Sequence, residues 1–67
     1  MLYDNICRLA KKKGMTIHQL EQKAGVVGMI GRWRKYNPQL KNLMKVADAL
    51  GVTVNTLLRE EQKEEGD

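Results

Sequence analysis

The side chains of this chain best suited to chemistry lie between Thr16 and Asn37, in the run TIHQLEQKAGVVGMIGRWRKYN. Arg32, Arg34 and Lys35 are cations set closely around Trp33 and followed by Tyr36 and Asn37. Cations at that density suit a polyanion: arginine can clamp a phosphate or a guanine edge with two parallel hydrogen bonds, and lysine serves phosphate as a point charge. Other chemistries are poorly supplied. The only histidine is His18 and the only cysteine is Cys7, whereas a structural zinc site takes about four ligands. There is no Ser/His/acid set, catalytic carboxylate pair or phosphate loop, so the expectation is no enzymatic activity, no cofactor, no metal and no small-molecule ligand. His18 reads as a surface or phosphate-contacting residue. Cys7 reads as a small apolar packer or a half-exposed thiol.

The charge is unevenly divided. Residues 1–58 carry ten Lys/Arg against three acids (Asp4, Glu21, Asp48), a net +7, and residues 59–67 carry two against five, a net −3, which together restore the formal +4. The body is therefore basic enough to attract nucleic acid. The tail REEQKEEGD has no apolar residue, cannot join a core, and is expected to be disordered. The expected division is thus a domain over 1–58 and an acidic tail over 59–67. A chain of 67 residues makes one small domain, for which pairing with a second copy is a source of added stability. No apolar run approaches the length of a membrane span. The amphipathic start MLYDNICRLAKKK lacks the apolar stretch of a signal peptide. A lone cysteine can form no internal disulfide, which points to a reducing, cytoplasmic setting.

The elements that must position the cations read as helices throughout. Leu2, Ile6, Leu9, Ala10 and Lys13 follow three- and four-residue steps, and Gly14 stands where a helix-ending glycine belongs. Lys11, Lys12 and Lys13 favour the negative end of that first helix. Thr16 caps a second helix, with Gln19 completing a capping box; Ile17, Leu20 and Ala24 form its buried stripe and Gly25 closes it. A third helix is expected roughly from Val27 to Lys35, with Ile30 and Trp33 inward, Trp33 as a core plug rather than a stacking platform. Asn37-Pro38 restarts the chain, since the residue before a proline leaves helical angles and proline suits a first turn. Leu40, Leu43, Met44, Ala47 and Leu50 give the strongest stripe, ended by Gly51, with Lys41 and Lys45 on its solvated side. Thr53 caps a last helix offering Val54, Leu57 and Leu58. No segment alternates as a strand would. The expected fold class is all-α, five short helices around one core, and two short helices joined by a glycine turn with cations at the end of the second form a helix-turn-helix, a DNA-docking arrangement.

The order of helices, the glycine after the second, and the phrases IHQLEQKAG and RWRKYNPQLKNLMKVADALGVTVNTLL resemble the Cro/repressor-type helix-turn-helix family, the lambda-repressor-like or xenobiotic-response-element regulators. More narrowly, they are similar to small phage- and mobile-element-derived transcriptional regulators of Gram-positive bacteria. The resemblance covers about residues 1–58. It implies a compact five-helix DNA-binding domain whose third helix docks in the major groove. It places the base-reading face on Val27, Gly28, Met29, Gly31 and Arg32. Of these, Arg32 can hold guanine bidentately and Val27 and Met29 can touch thymine methyls. It places phosphate contacts on Thr16, His18, Arg34, Lys35, Tyr36 and Asn37.

The chain also departs from that family. In relatives the buried branched residue of the third helix lies six positions after the turn glycine; here Ile30 lies five after Gly25, so the turn is one residue short. The serine that caps the third helix in relatives is missing, with Val27 or Gly28 in its place, a loss of roughly 1 kcal/mol. The turn must therefore tighten, or the third helix begin later or rotate. Gly28 and Gly31 read as positions where the helix or turn sits close to a backbone. Ile17 replaces a common glutamine. Ala10 and Arg34 replace an arginine–acid pair, leaving Arg34 to face phosphate or solvent. Two functions follow: a sequence-specific DNA-binding regulator, a repressor acting as a homodimer on double-stranded DNA; or an antitoxin-like protein-interaction module that has lost base reading and binds through Val26, Val27 and Met29.

Overall fold

The computed structural model of the protein describes residues 2–59. Within them the chain forms α1 (Leu2–Lys12), α2 (Ile17–Ala24), a 3₁₀ segment (Ile30–Arg34), α3 (Leu40–Leu50) and α4 (Val54–Leu58), in that order. The all-α class and the sequence of five helical elements agree with expectation. The third element is shorter than the expected Val27–Lys35 helix and is wound as 3₁₀ rather than α. The expectation for the acidic tail falls on residues 60–67, outside the described residues.

The boundaries follow local chemistry. Thr16 sits in extended backbone and its Oγ1 accepts the Gln19 N–H at 3.0 Å, while the Thr16 N–H donates to Gln19 Oε1 at 2.9 Å. Two orphan donors at the start of α2 are thereby satisfied. At its other end Gly25 takes the left-handed conformation (φ 76°), which glycine adopts without the Cβ penalty. The Gly25 N–H bonds the Gln22 carbonyl, and the Val26 N–H bonds the Glu21 carbonyl at 2.9 Å. This paired closure is the Schellman arrangement. The same bonds recur after α1, where Met15 N–H reaches Ala10 O, and after α3, where Val52 N–H reaches Ala47 O. Thr53 caps α4 by accepting the Thr56 N–H at 3.1 Å.

One core takes residues from every element: Ile6, Leu9 and Ala10 of α1, Leu20 of α2, Val26, Ile30 and Trp33, then Leu43, Val46, Ala47 and Leu50 of α3, and Leu57 of α4. Each fully buried aliphatic or aromatic side chain contributes about 1.5–3 kcal/mol by leaving water. α1 packs on the 3₁₀ segment, α2 and α4, and α3 packs on α2 and α4. Ile17 and Ala24 are only half-buried against this core.

Two of the expected stripes shift. On α3 the inward row is Leu43, Val46, Ala47 and Leu50, while Leu40 and Met44 are 64% and 56% exposed. Val46 lies at three-residue spacing from Leu43 and four from Leu50. The buried face is therefore centred between Leu43 and Val46, and the Leu40–Met44 row falls at its rim. On α1, Leu2 is half-buried and Lys13 is exposed beyond the helix end. On α4, Leu57 is buried, Val54 half-buried and Leu58 exposed.

A buried amide also ties the ends of the domain together. Asn5 of α1, only 4% exposed, donates through Nδ2 to the Leu57 carbonyl at 3.0 Å and to the Arg59 carbonyl at 2.7 Å. Those carbonyls lie at and beyond the C-terminus of α4, where a helix has no partners of its own.

Candidate nucleic-acid interface

The turn between α2 and the 3₁₀ segment is tight. Val26 points inward at 1% exposure, and the Met29 N–H bonds back to the Val26 carbonyl at 3.0 Å. Between them Val27 is 62% exposed and Gly28 is exposed with φ 78°. The third element begins at Ile30, three residues later than the expected Val27.

Gly28 meets a conformational demand rather than a steric one. A Cβ there would touch nothing within 4 Å, and the same holds at Gly31. The expectation that these two glycines serve a close backbone approach is therefore corrected. Gly28 is needed for its positive φ, and Gly31 stands in open space.

Ile30 and Trp33 are both buried, and the winding explains why: residues three apart eclipse on a 3₁₀ helix. The same period puts Gly31 beneath Arg34, whose Nε donates to the Gly31 carbonyl at 3.3 Å. It also aligns Arg32 with Lys35, both exposed. The Lys35 and Tyr36 N–H groups converge on the Arg32 carbonyl at 3.0 Å, closing the segment before Asn37.

No side chain of the segment caps its start. The residue preceding it, Met29, makes no side-chain cap bond, and α2 supplies the cap instead. Glu21, 7% exposed, accepts the buried Ile30 N–H on Oε2 at 3.0 Å. In the sequence Glu21 stands out from the other acids of residues 1–58 only as an acid four residues before the turn glycine, on the side of α2 that the Leu20 stripe buries.

The far end of the segment has its own support. The Arg34 guanidinium lies over the Tyr3 ring of α1, 5.3 Å from its centroid, a cation–π contact. Arg34 thus rests against Tyr3 while remaining exposed. The Tyr3 phenol has its pKa raised above the ordinary value, chiefly by its side-chain hydrogen bond with Cys7 and the electrostatics of that pair, with Arg34 pulling the other way.

Of the base-reading candidates, Val27, Gly28, Gly31 and Arg32 are exposed, whereas Met29 is half-buried against the core. Of the phosphate candidates, Thr16, His18, Arg34, Lys35, Tyr36 and Asn37 are all exposed, Tyr36 most clearly at 68%. The apolar set Val26, Val27 and Met29 does not form an exposed patch, because Val26 is buried and Met29 half-buried. Among the described residues no helix is long and apolar enough to cross a membrane.

Residues 7–57 match the family described as helix-turn-helix (HTH_3). Over 71 residues the chain is 37% identical to the HTH-type transcriptional regulator SinR of Bacillus licheniformis. It is 37% identical over the same length to SinR of Bacillus subtilis (strain 168). These alignments take in 100% of this chain and 64% of each relative, so the chain spans just under two thirds of their length. No solved structure matches it significantly.

Proposed function

The chain belongs to the helix-turn-helix family, and from that premise we propose that it is a sequence-specific DNA-binding transcriptional regulator, a repressor, that docks the turn and 3₁₀ segment in the major groove. The observation that carries this reading is the exposed cationic exit of the segment. Arg32 and Lys35 share one side of it, and Arg34 is fixed beside them by Tyr3. Arg32 reads a guanine edge, with Val27 offering an apolar contact to a thymine methyl. Lys35, Arg34, Tyr36 and Asn37 hold backbone phosphates, as do Thr16 and His18 at the start of α2. The similarity to two proteins named as transcriptional regulators supports the same assignment.

In this reading the protein works in the cytoplasm, at the nucleoid when bound, as a homodimer on a two-fold operator, each copy presenting one reading segment to one half-site. Selection of bound sites from a random duplex pool tests it. The expected result is a recurrent guanine-containing half-site in inverted repeat, with log affinity falling against log salt by about 0.9 per neutralised phosphate. Enrichment of no sequence, or the absence of DNA binding at low salt, refutes the proposal. Sedimentation of the DNA-bound protein as a monomer refutes the dimer.

A further inference from the structure

We propose that Glu21, a buried residue of α2, is a positioning residue for base reading: it brackets the turn and holds the reading segment in register. The proposal rests on the DNA-binding reading above. Glu21 grips the turn at two points. Its backbone carbonyl accepts the Val26 N–H at 2.9 Å where the turn begins, and its carboxylate accepts the Ile30 N–H at 3.0 Å where the turn ends. The intervening residues add backbone bonds alone, Met29 N–H to the Val26 carbonyl at 3.0 Å and Arg32 N–H to the Met29 carbonyl at 3.1 Å, and Met29 has no side-chain oxygen with which to cap Ile30.

The Ile30 amide is buried, so without the carboxylate it would stand unpaired out of reach of water, a penalised state that the segment can escape only by shifting. Any such shift moves Arg32, two residues on, whose discrimination depends on planar, two-point geometry. Phosphate contacts tolerate the same shift far better, because they depend on charge more than on orientation. Loss of the Glu21 cap is therefore expected to erode specificity while sparing general affinity. The negative charge matters less than the acceptor, so a glutamine, whose amide oxygen reaches the same distance, should serve.

The experiment compares the full chain with Glu21→Gln and Glu21→Leu, the latter filling the same volume without an acceptor. Two quantities are read: hydrogen exchange of the Ile30 amide, and affinity for the selected duplex relative to a scrambled duplex at equal salt. Glu21→Gln should keep both within about threefold of the parent, while Glu21→Leu should speed Ile30 exchange and lower the affinity ratio by about tenfold, the effect of an unmade buried hydrogen bond. Its affinity for the scrambled duplex and its salt slope should be unchanged. Faster exchange with an undiminished ratio overturns the positioning role. So does a ratio that falls equally in Glu21→Gln. Should Glu21→Leu not fold, Glu21→Ala replaces it under the same criteria. Should neither fold, Glu21 is a stability residue and the proposal fails. If the parent selects no duplex, the DNA-binding reading fails instead, which the Ile30 exchange data distinguish by standing apart from it.

Discussion

Replacing Asn5 by alanine should weaken the domain far more than the removal of one polar side chain from a helix ordinarily would. Both hydrogens of the Asn5 amide are committed, one to the buried Leu57 carbonyl and one to the part-buried Arg59 carbonyl. The Leu57 carbonyl would be left unpaired inside the protein, at a cost of about 1–3 kcal/mol. The Arg59 carbonyl can rehydrate, so its loss is nearer the net value of an ordinary bond, about 1 kcal/mol. The sum is about 2–4 kcal/mol, against a total stability of roughly 3–9 kcal/mol for a domain of this size. α4 has only five residues and cannot persist as a helix alone, so it should detach before the rest unfolds. Urea denaturation supplies the magnitude, and thermal unfolding should show a fall in Tm of roughly 10–25 °C. Exchange of the Leu57 amide, which donates to Thr53 O within α4, reports the detachment. A loss below about 0.5 kcal/mol would refute the reasoning, because it would mean the two carbonyls find other partners at no cost.

Three further outcomes are expected. Thr16→Ala removes the side-chain half of the α2 capping box and should cost about 1 kcal/mol in denaturant unfolding. Gly28→Ala should cost about 1–2 kcal/mol because its φ is positive, whereas Gly31→Ala should be neutral or stabilise by up to about 1 kcal/mol, its Cβ meeting nothing within 4 Å; equal effects at the two glycines would contradict this account. Arg32→Ala should relax base preference at one position of the selected site at a cost of about 1–3 kcal/mol, while Lys35→Ala should weaken all sequences alike and reduce the salt slope by about one. Filter-binding titrations across salt concentrations separate the two.

Features encoded by neighbouring residues were legible in the sequence. The Thr16–Gln19 box, the closures at Gly25 and Gly51 and the Thr53 cap each depend on side chains within a few positions of one another. Periodicity located the α3 stripe but not its centre, since a row at four-residue steps through Leu40 and Met44 fits the pattern as well as the row through Val46 that is buried. The length of the third element is not legible from its own residues, because its start is capped by Glu21, nine residues earlier in the chain. The Asn5 bonds cross more than fifty residues and leave no local trace. Val27, Gly28, Gly31 and Arg32 lie at the surface, an outward position that follows from the inward setting of Ile30 and Trp33.

The cap on Ile30 comes from a neighbouring helix, and this frees the outer turn to vary. In a segment capped by its own first residue, one position of the contact surface is committed to serine, threonine or a similar acceptor. Here that obligation falls to Glu21 inside the fold, and between Val27 and Arg32 only Gly28 has a positive φ. Val27, Gly31 and Arg32 have exposed side-chain positions, so a library randomised at these three sites could sample new contact surfaces without disturbing the core. The residue that caps the segment and the residues that the segment presents outward are therefore separate sets.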